Sequence, residues 1–313
     1  MIALAAERRG RTVEAVVSPV GASLRRLAVD GIELVRNTLD ERPPLSAGVV
    51  LAPWPNRVAD ARWIHEGAIE RLEVTEPGLG HALHGLLADR EYAVVARDAQ
   101  SVVLAAGIDA PPGYPFRLDT SVAYTLTAGG VRVAHRIANR GARPAPVALG
   151  AHPYLRLGDR PVGDLVFSTS ARRALRLDAR NIPTGSFPVE GTAFDLRRGC
   201  RVHDMPGHAV YTDLGPHPSP NDPEYPSPAY RHRLGDPVAG DAVVLEAERA
   251  FAWLQTYVTD EFPGTPPGEL AVAIEPMTAP PDALNSGDGL RWLGPGDTWE
   301  ARWGIRYEDS PAG

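Results

Sequence analysis

From Leu118 to Leu126 the side chains alternate, with Leu118, Thr120, Val122, Tyr124 and Leu126 interleaved by Asp119, Ser121, Ala123 and Thr125. A two-residue period marks a strand with one buried face, because successive side chains leave a strand on opposite sides. After Thr127-Ala128-Gly129-Gly130, the residues Val131, Val133, His135 and Ile137 resume the alternation against Arg132, Ala134, Arg136 and Ala138. The two runs therefore predict an antiparallel hairpin. Trp299, Ala301, Trp303, Ile305 and Tyr307 repeat the pattern near the C-terminus, and weaker runs lie at Thr12 to Val17, Ser101 to Ile108, Ala242 to Glu246 and Ala252 to Thr259. Gly and Pro, 31 residues each, punctuate the chain too often for long helices. Short strands without intervening helices predict an all-β fold, a large antiparallel β-sandwich.

Composition narrows the picture further. The chain has 313 residues, 43% apolar and 23% charged, which suits a globular protein with a sizeable core. All-β units often exceed 200 residues, so a single domain over 1–313 is expected, without internal repeats. A Pro-, His- and Asp-rich stretch from Gly215 to Gly240 reads as a surface excursion. The formal charge of −7 offers no electrostatic footprint for nucleic acid or anionic lipid. Cys200 is the single cysteine, which excludes an intrachain disulfide and favours a reducing compartment. The charges of Glu7, Arg8 and Arg9 follow a very short apolar run, the reverse of a secretion signal, and no apolar stretch reaches membrane-spanning length. The expected setting is cytoplasmic, as a monomer or homodimer.

Dinucleotide, P-loop, His-Glu-x-x-His and paired-Cys signatures are all missing, so the expected chemistry uses side chains alone, with no cofactor and no metal. His84 in Ala82-Leu83-His84-Gly85-Leu86 and His152 in Gly150-Ala151-His152-Pro153-Tyr154 sit among apolar residues. Glu275 ends the strand-like run Leu270-Ala271-Val272-Ala273-Ile274. A carboxylate there is costly unless paired, and Pro276 biases it toward an extended backbone. The alternative for each is a core residue whose polar atoms are satisfied.

Read in order, Asn56-Arg57, Ala61-Arg62-Trp63, Ala82-Leu83-His84-Gly85, His152-Pro153-Tyr154-Leu155, Gly191-Thr192-Ala193-Phe194-Asp195, Trp253-Leu254-Gln255-Thr256-Tyr257 and Glu275-Pro276-Met277-Thr278 resemble the aldose 1-epimerase (galactose mutarotase-like) family. The tail Ala279-Pro280-Pro281-Asp282-Ala283-Leu284-Asn285-Ser286-Gly287 is most similar to a bacterial branch of uncertain sugar preference. The resemblance implies a supersandwich with a sugar, the expected small-molecule partner, on one sheet. It implies Glu275 as the base for the anomeric hydroxyl, His152 as the acid for the ring oxygen and His84 as a supporting group near that oxygen. It also implies that Arg57 holds sugar hydroxyls, with Asn56 and Gln255 lining the same cleft.

In one position the chain departs from the family. Where an aspartate for sugar hydroxyls is expected, the stretch reads His208-Ala209-Val210-Tyr211-Thr212-Asp213. Either His208 replaces the acid, or a slipped alignment leaves Asp213 or Asp204 to supply it. Three rivals remain: an epimerase for a phosphorylated or otherwise anionic hexose using Arg57, Arg62 and Arg90; a non-catalytic carbohydrate-binding protein; and a metal enzyme drawing on His81, His84, His203, His208, His217 or His232.

Overall fold

The computed structural model describes residues 1–36, 40, 42–216 and 229–310. Among them, two large antiparallel sheets dominate. One has nine strands in the order Ala93–Arg97, Ser101–Asp109, Arg117–Thr127, Gly130–Asn139, Thr298–Glu308, Ala242–Glu248, Ala229–Gly235, Val166–Thr169 and Cys200–Arg201. The other runs Pro183–Pro188, Ala171–Leu177, His208–Leu214, Trp253–Thr259, Ala271–Met277, Gly150–Ala151 and Val50–Leu51, with Tyr154–Leu155 also pairing to Ala271–Met277. A four-stranded sheet opens the chain, from Ile2–Arg8 to Ile32–Glu33. No helix is long and apolar enough to cross a membrane among these residues.

The predicted hairpin forms, with Leu126 opposite Val131 and Thr127 opposite Gly130. Its even-numbered residues from Leu118 to Leu126 are buried and the intervening ones are not, as the alternation requires. The runs at residues 12–17, 101–108, 242–246, 252–259 and 299–307 are all strands, with ends shifted by one or two residues. Pro183–Pro188 escaped the pattern because its prolines mask it; it lies at a sheet edge, where a missing N–H costs no ladder bond.

The 215–240 excursion needs correction. Residues 217–228 lie outside the described residues, but Ala229–Gly235 is a strand inside the nine-stranded sheet, paired with Ala242–Glu248. Its alternation of Tyr230, His232 and Leu234 with arginines was hidden in a Pro-rich context.

One apolar core joins the two large sheets. Val133, Ile137, Ala301 and Ile305 from the first pack in the same cluster as Ala209, Tyr211, Leu254, Val272 and Ile274 from the second. Sheet-on-sheet packing of this kind uses every second residue of each strand. The opposite face of the second sheet is left for a separate set of side chains, and the candidate site is built there.

Candidate active site

Every residue of Ala271–Met277 is buried, yet the two faces differ. Val272 and Ile274 enter the main core, whereas Ala271 and Ala273 join a small cluster with Tyr154, Phe262 and Ala47. By the strand period Glu275 shares the second face. Across the ladder Glu275 stands opposite Gln255, which stands opposite Val210; one register step along, Ala273, Tyr257 and His208 form a parallel row. Alternation alone thus places His208, Gln255, Tyr257 and Glu275 on one face.

His152 reaches this face from the link between Gly150–Ala151 and Tyr154–Leu155. That link is pinned by bonds from His152 N to Val49 O (3.1 Å), from Gly48 N to His152 O (2.8 Å) and from Ile274 N to Pro153 O (3.0 Å). His152 Nε2 lies 3.4 Å from Glu275 Oε1. The His152 ring stacks on Tyr154 at 5.3 Å between centroids and 27° between planes. Tyr154 belongs to the quoted His-Pro-Tyr-Leu run, but only the fold shows that it braces the imidazole.

His84 arrives through a second local device. Arg57–Val58 pairs with Ala82–Leu83, and the His84 N–H donates to the Asn56 carbonyl at 2.9 Å. His84 and Gly85 then take consecutive left-handed conformations, φ 65° and 79°. Glycine is required at the second position, because a Cβ there would lie 2.1 Å from Ala52 O. The turn sets the His84 ring 5.3 Å from that of His152 and nearly perpendicular, at 85°. His84 Nδ1 is buried without a hydrogen-bond partner among the described residues.

The mini-sheet also carries Asn56 and Arg57. Asn56 Nδ2 donates to Gln255 Oε1 at 3.2 Å, joining two residues 199 positions apart. The Arg57 fork is engaged by Glu76: Nε donates to Oε2 at 2.8 Å and Nη2 to Oε1 at 2.7 Å. Glu76 had no sequence signal, since nothing in Thr75-Glu76-Pro77 marks it as the partner of an arginine 19 residues away. Its effect is to fix the guanidinium plane, so that the remaining Arg57 hydrogens point in set directions.

His208 stands in the site and Asp213 does not. The His208 ring lies edge-on to Tyr257, 6.2 Å between centroids, close enough to Arg57 and Glu76 for both to act on its titration. Asp213 is five residues along the same strand, about 16 Å at the usual rise. It is exposed, has φ 53° and lies 3.9 Å from Arg172. Asp204 is also exposed, beside His203 at 3.7 Å. Of the residues weighed for that position, the fold brings only the histidine to the cluster.

Burial sets the electrostatics. Glu275, 2% exposed, has its carboxyl pushed well above the usual range by burial, with the Arg57 charge opposing. Burial likewise lowers His152 to about 4. His84 falls well below its ordinary value through burial, then through His152 and Arg57. His208 drops to about 4 through burial first and Arg57 second. At 3.4 Å a Glu275–His152 ion pair gains about 5 kcal/mol at an effective dielectric of 20. Desolvation costs several kcal/mol for each of the two ions. Burial therefore pushes both members of the pair toward their neutral forms, and the Coulomb gain of the ion pair opposes it.

The other candidates are engaged elsewhere. Arg62 pairs with Asp60 at 3.4 Å and Arg90 with Asp89 at 3.8 Å, both at the surface. His81 accepts the Asp60 N–H at Nδ1, and His232 Nδ1 meets the Thr169 hydroxyl at 2.9 Å. His217 lies outside the described residues. No three His, Cys, Asp or Glu side chains gather in a metal-holding group among the described residues. Cys200 is half-buried, and burial raises its thiol, opposite to a reactive cysteine.

The sequence and the fold match known proteins of one family. The aldose 1-epimerase family model covers residues 6–306. The Escherichia coli K12 protein named Uncharacterized protein YihR is 30% identical over 281 residues, 89% of this chain and 85% of that protein. Galactose mutarotase of Rattus norvegicus is 34% identical over 163 residues, 48% of this chain and 45% of that protein. A solved structure described as a GalM/aldose epimerase homologue from C. elegans superposes with a TM-score of 0.83 at 20% identity, covering 99% of both chains. Galactose 1-epimerase from Lactobacillus acidophilus NCFM gives 0.75 at 17% identity, again over 99% of both. The fold and the span of the family match agree: this chain belongs to the aldose 1-epimerase family.

Proposed function

We propose that this protein interconverts the α and β anomers of an aldose by acid–base ring opening and reclosure. The observation that carries the reading is the buried Glu275–His152 contact of 3.4 Å, with the His84 ring 5.3 Å from that of His152 and nearly perpendicular to it. Opening a cyclic hemiacetal removes one proton from O1 and delivers one to the ring oxygen. The aldehyde then rotates about C1–C2 and recloses on its other face. Glu275 takes the first proton and His152 supplies the second, while His84 Nε2 supports the ring oxygen. Positioned transfer of this kind contributes about 10²–10⁴-fold. Arg57, held by Glu76, and the Asn56–Gln255 pair orient the hydroxyls. The lone, unreactive thiol of Cys200 suits a cytoplasmic setting.

The reaction consumes and restores a single proton on the pair. A carboxylate with an imidazolium before the transfer becomes a carboxylic acid with a neutral imidazole after it. The competent state is therefore the pair with one proton, whichever group holds it. Adding a second proton leaves no base, and removing the only one leaves no acid. Polarimetry of freshly dissolved aldoses is expected to show enzyme-dependent rates that rise and then fall with pH. The lower limb belongs to the step that burial depresses on His152, toward about 4, and the upper limb to the step that burial raises on Glu275. A pH profile without enzyme-dependent limbs would remove the assignment.

His208 is the residue through which sugar preference is expected to differ within the family. Its depressed titration keeps it neutral at pH 7, so it offers a hydrogen bond rather than a positive charge. His208→Asp places an acceptor-only anion there. It should shift the kcat/KM ratio of galactose over glucuronate upward by about tenfold. An unchanged ratio would mean that His208 does not read the substrate.

A further inference from the structure

The ion pair of Arg57 and Glu76 is joined to the catalytic carboxyl by a continuous set of contacts, yet the proposed proton transfer gives its acidic half no part beyond holding the arginine. Glu76 accepts from Arg57 Nε and Nη2 at 2.8 and 2.7 Å. Asn56 Oδ1 accepts the Arg57 backbone N–H at 2.9 Å and lies 3.4 Å from Nη1. Asn56 Nδ2 donates to Gln255 Oε1 at 3.2 Å, and Gln255 stands opposite Glu275 in the ladder. The side chains of Arg57 and Glu76 are 12% and 20% exposed, so water screens their charges only weakly. The backbone fixes Glu76 independently of the arginine. Its carbonyl accepts the Gly80 N–H at 2.8 Å, and its N–H donates to the His81 carbonyl at 3.0 Å. His81 is fully buried; its Nδ1 accepts the Asp60 N–H and its Nε2 donates to the Arg180 carbonyl, both at 3.1 Å. The same turn is closed by the Leu83 N–H on Thr75 Oγ1 at 2.8 Å and leads directly into His84.

From these contacts we infer that Glu76 is a positioning residue for the anomer interconversion: by offsetting the Arg57 charge, it lets the Glu275–His152 pair keep the single proton that the reaction needs. This inference rests on the proposed acid–base reading. The titratable and charged groups around the pair are Tyr154 from the link that carries His152, Arg57 and His84 from the mini-sheet, and His208 and Tyr257 from the adjoining strands. Arg57 is the permanent cation among them. A cation favours the ionised carboxylate, so Arg57 opposes the burial that raises Glu275. With Glu76 in place that cation meets an anion at 2.7 Å, and its pull on Glu275 is reduced. Without the anion the pair releases its proton at lower pH, and the acid is lost from the site earlier.

The test follows kcat/KM for galactose and glucose against pH by polarimetry, with a thermal melt of every variant. Two neutral replacements, Glu76→Gln and Glu76→Ser, guard against loss of the fold in one of them. Each should move the upper limb down by about one pH unit or more, whereas Arg57→Gln should move it up. The double variant of Glu76→Gln with Arg57→Gln, in which both charges are gone, should return to within about half a unit of the wild type. Glu76→Asp keeps the charge and should keep the limb, even where its shorter reach raises KM. Neutral variants that lose rate but keep the position of the limb would overturn the inference, as would an equal downward shift when Arg57 is already Gln. Loss of the fold in both neutral variants would make Glu76 a structural residue and overturn it too. Infrared spectroscopy without sugar separates the inference from the catalytic reading. If the wild type turns over neither sugar, anomer interconversion of these sugars fails. The C=O stretch of protonated Glu275, identified by its loss in Glu275→Gln, must then still disappear at lower pH in Glu76→Gln than in the wild type, and equal midpoints would overturn the inference.

Discussion

Glu275→Gln is expected to abolish nearly all enzyme-dependent mutarotation, by at least about 10²–10⁴-fold in kcat, while the protein stays folded. The amide keeps the shape of the carboxylic acid but cannot accept the anomeric proton. The fold should tolerate the change because Glu275 is buried and its Oε2 has no hydrogen-bond partner among the described residues. Burial already favours the uncharged form. The folded state therefore holds this proton more tightly than the unfolded chain does. The stability it contributes is fully present below the ordinary carboxylate value and is lost as pH rises through the raised one. Gln removes that slope, so the variant's melting temperature at neutral pH should equal or exceed the wild type's. Polarimetry with a thermal melt checks both halves. Substantial residual turnover in a folded variant would end the base assignment.

His152→Asn should cost about 10²-fold or more in kcat, and His84→Asn about tenfold, because one moves the proton and the other supports the charge it leaves behind. The geometry makes the asymmetry specific. His152 Nε2 is the nitrogen 3.4 Å from Glu275 and its ring is stacked on Tyr154, so its replacement removes both the acid and the pair that shares the proton. His84 touches His152 edge-on, and its left-handed backbone accepts asparagine well. The pH profiles separate the roles. His152→Asn should replace the bell by a single rise with pH as Glu275 ionises, whereas His84→Asn should keep both limbs at reduced height. Equal, small effects of the two substitutions would contradict the division of labour.

The strands were largely legible in the residue pattern. The hairpin from Leu118 to Ile137 and the C-terminal run from Trp299 show a two-residue period, and that period survives folding because it reflects a half-buried face, a property of neighbouring residues. Where prolines and arginines interrupt the period, as at Pro183–Pro188 and Ala229–Gly235, only pairing to neighbouring strands defines the element. The site divides in the same way. Glu275, His152 and His84 stood out one by one as polar groups in apolar surroundings, and the ordered resemblance supplied their expected roles. Their convergence was beyond local reading, since the Glu275–His152 contact joins the central strand Ala271–Met277 to a link held by Val49, Gly48 and Ile274. Glu76 as the clamp on Arg57, and Asn56 bonded to Gln255, depend on long-range pairings that no periodicity encodes. The choice between His208 and Asp213 was likewise tertiary, decided by which end of His208–Leu214 lies against Trp253–Thr259 beside Glu275. The protonation of the cluster was decided there too. Residue type fixes which groups can titrate, but the direction in which each is pushed comes from desolvation, which exists only once the sheets have closed over them.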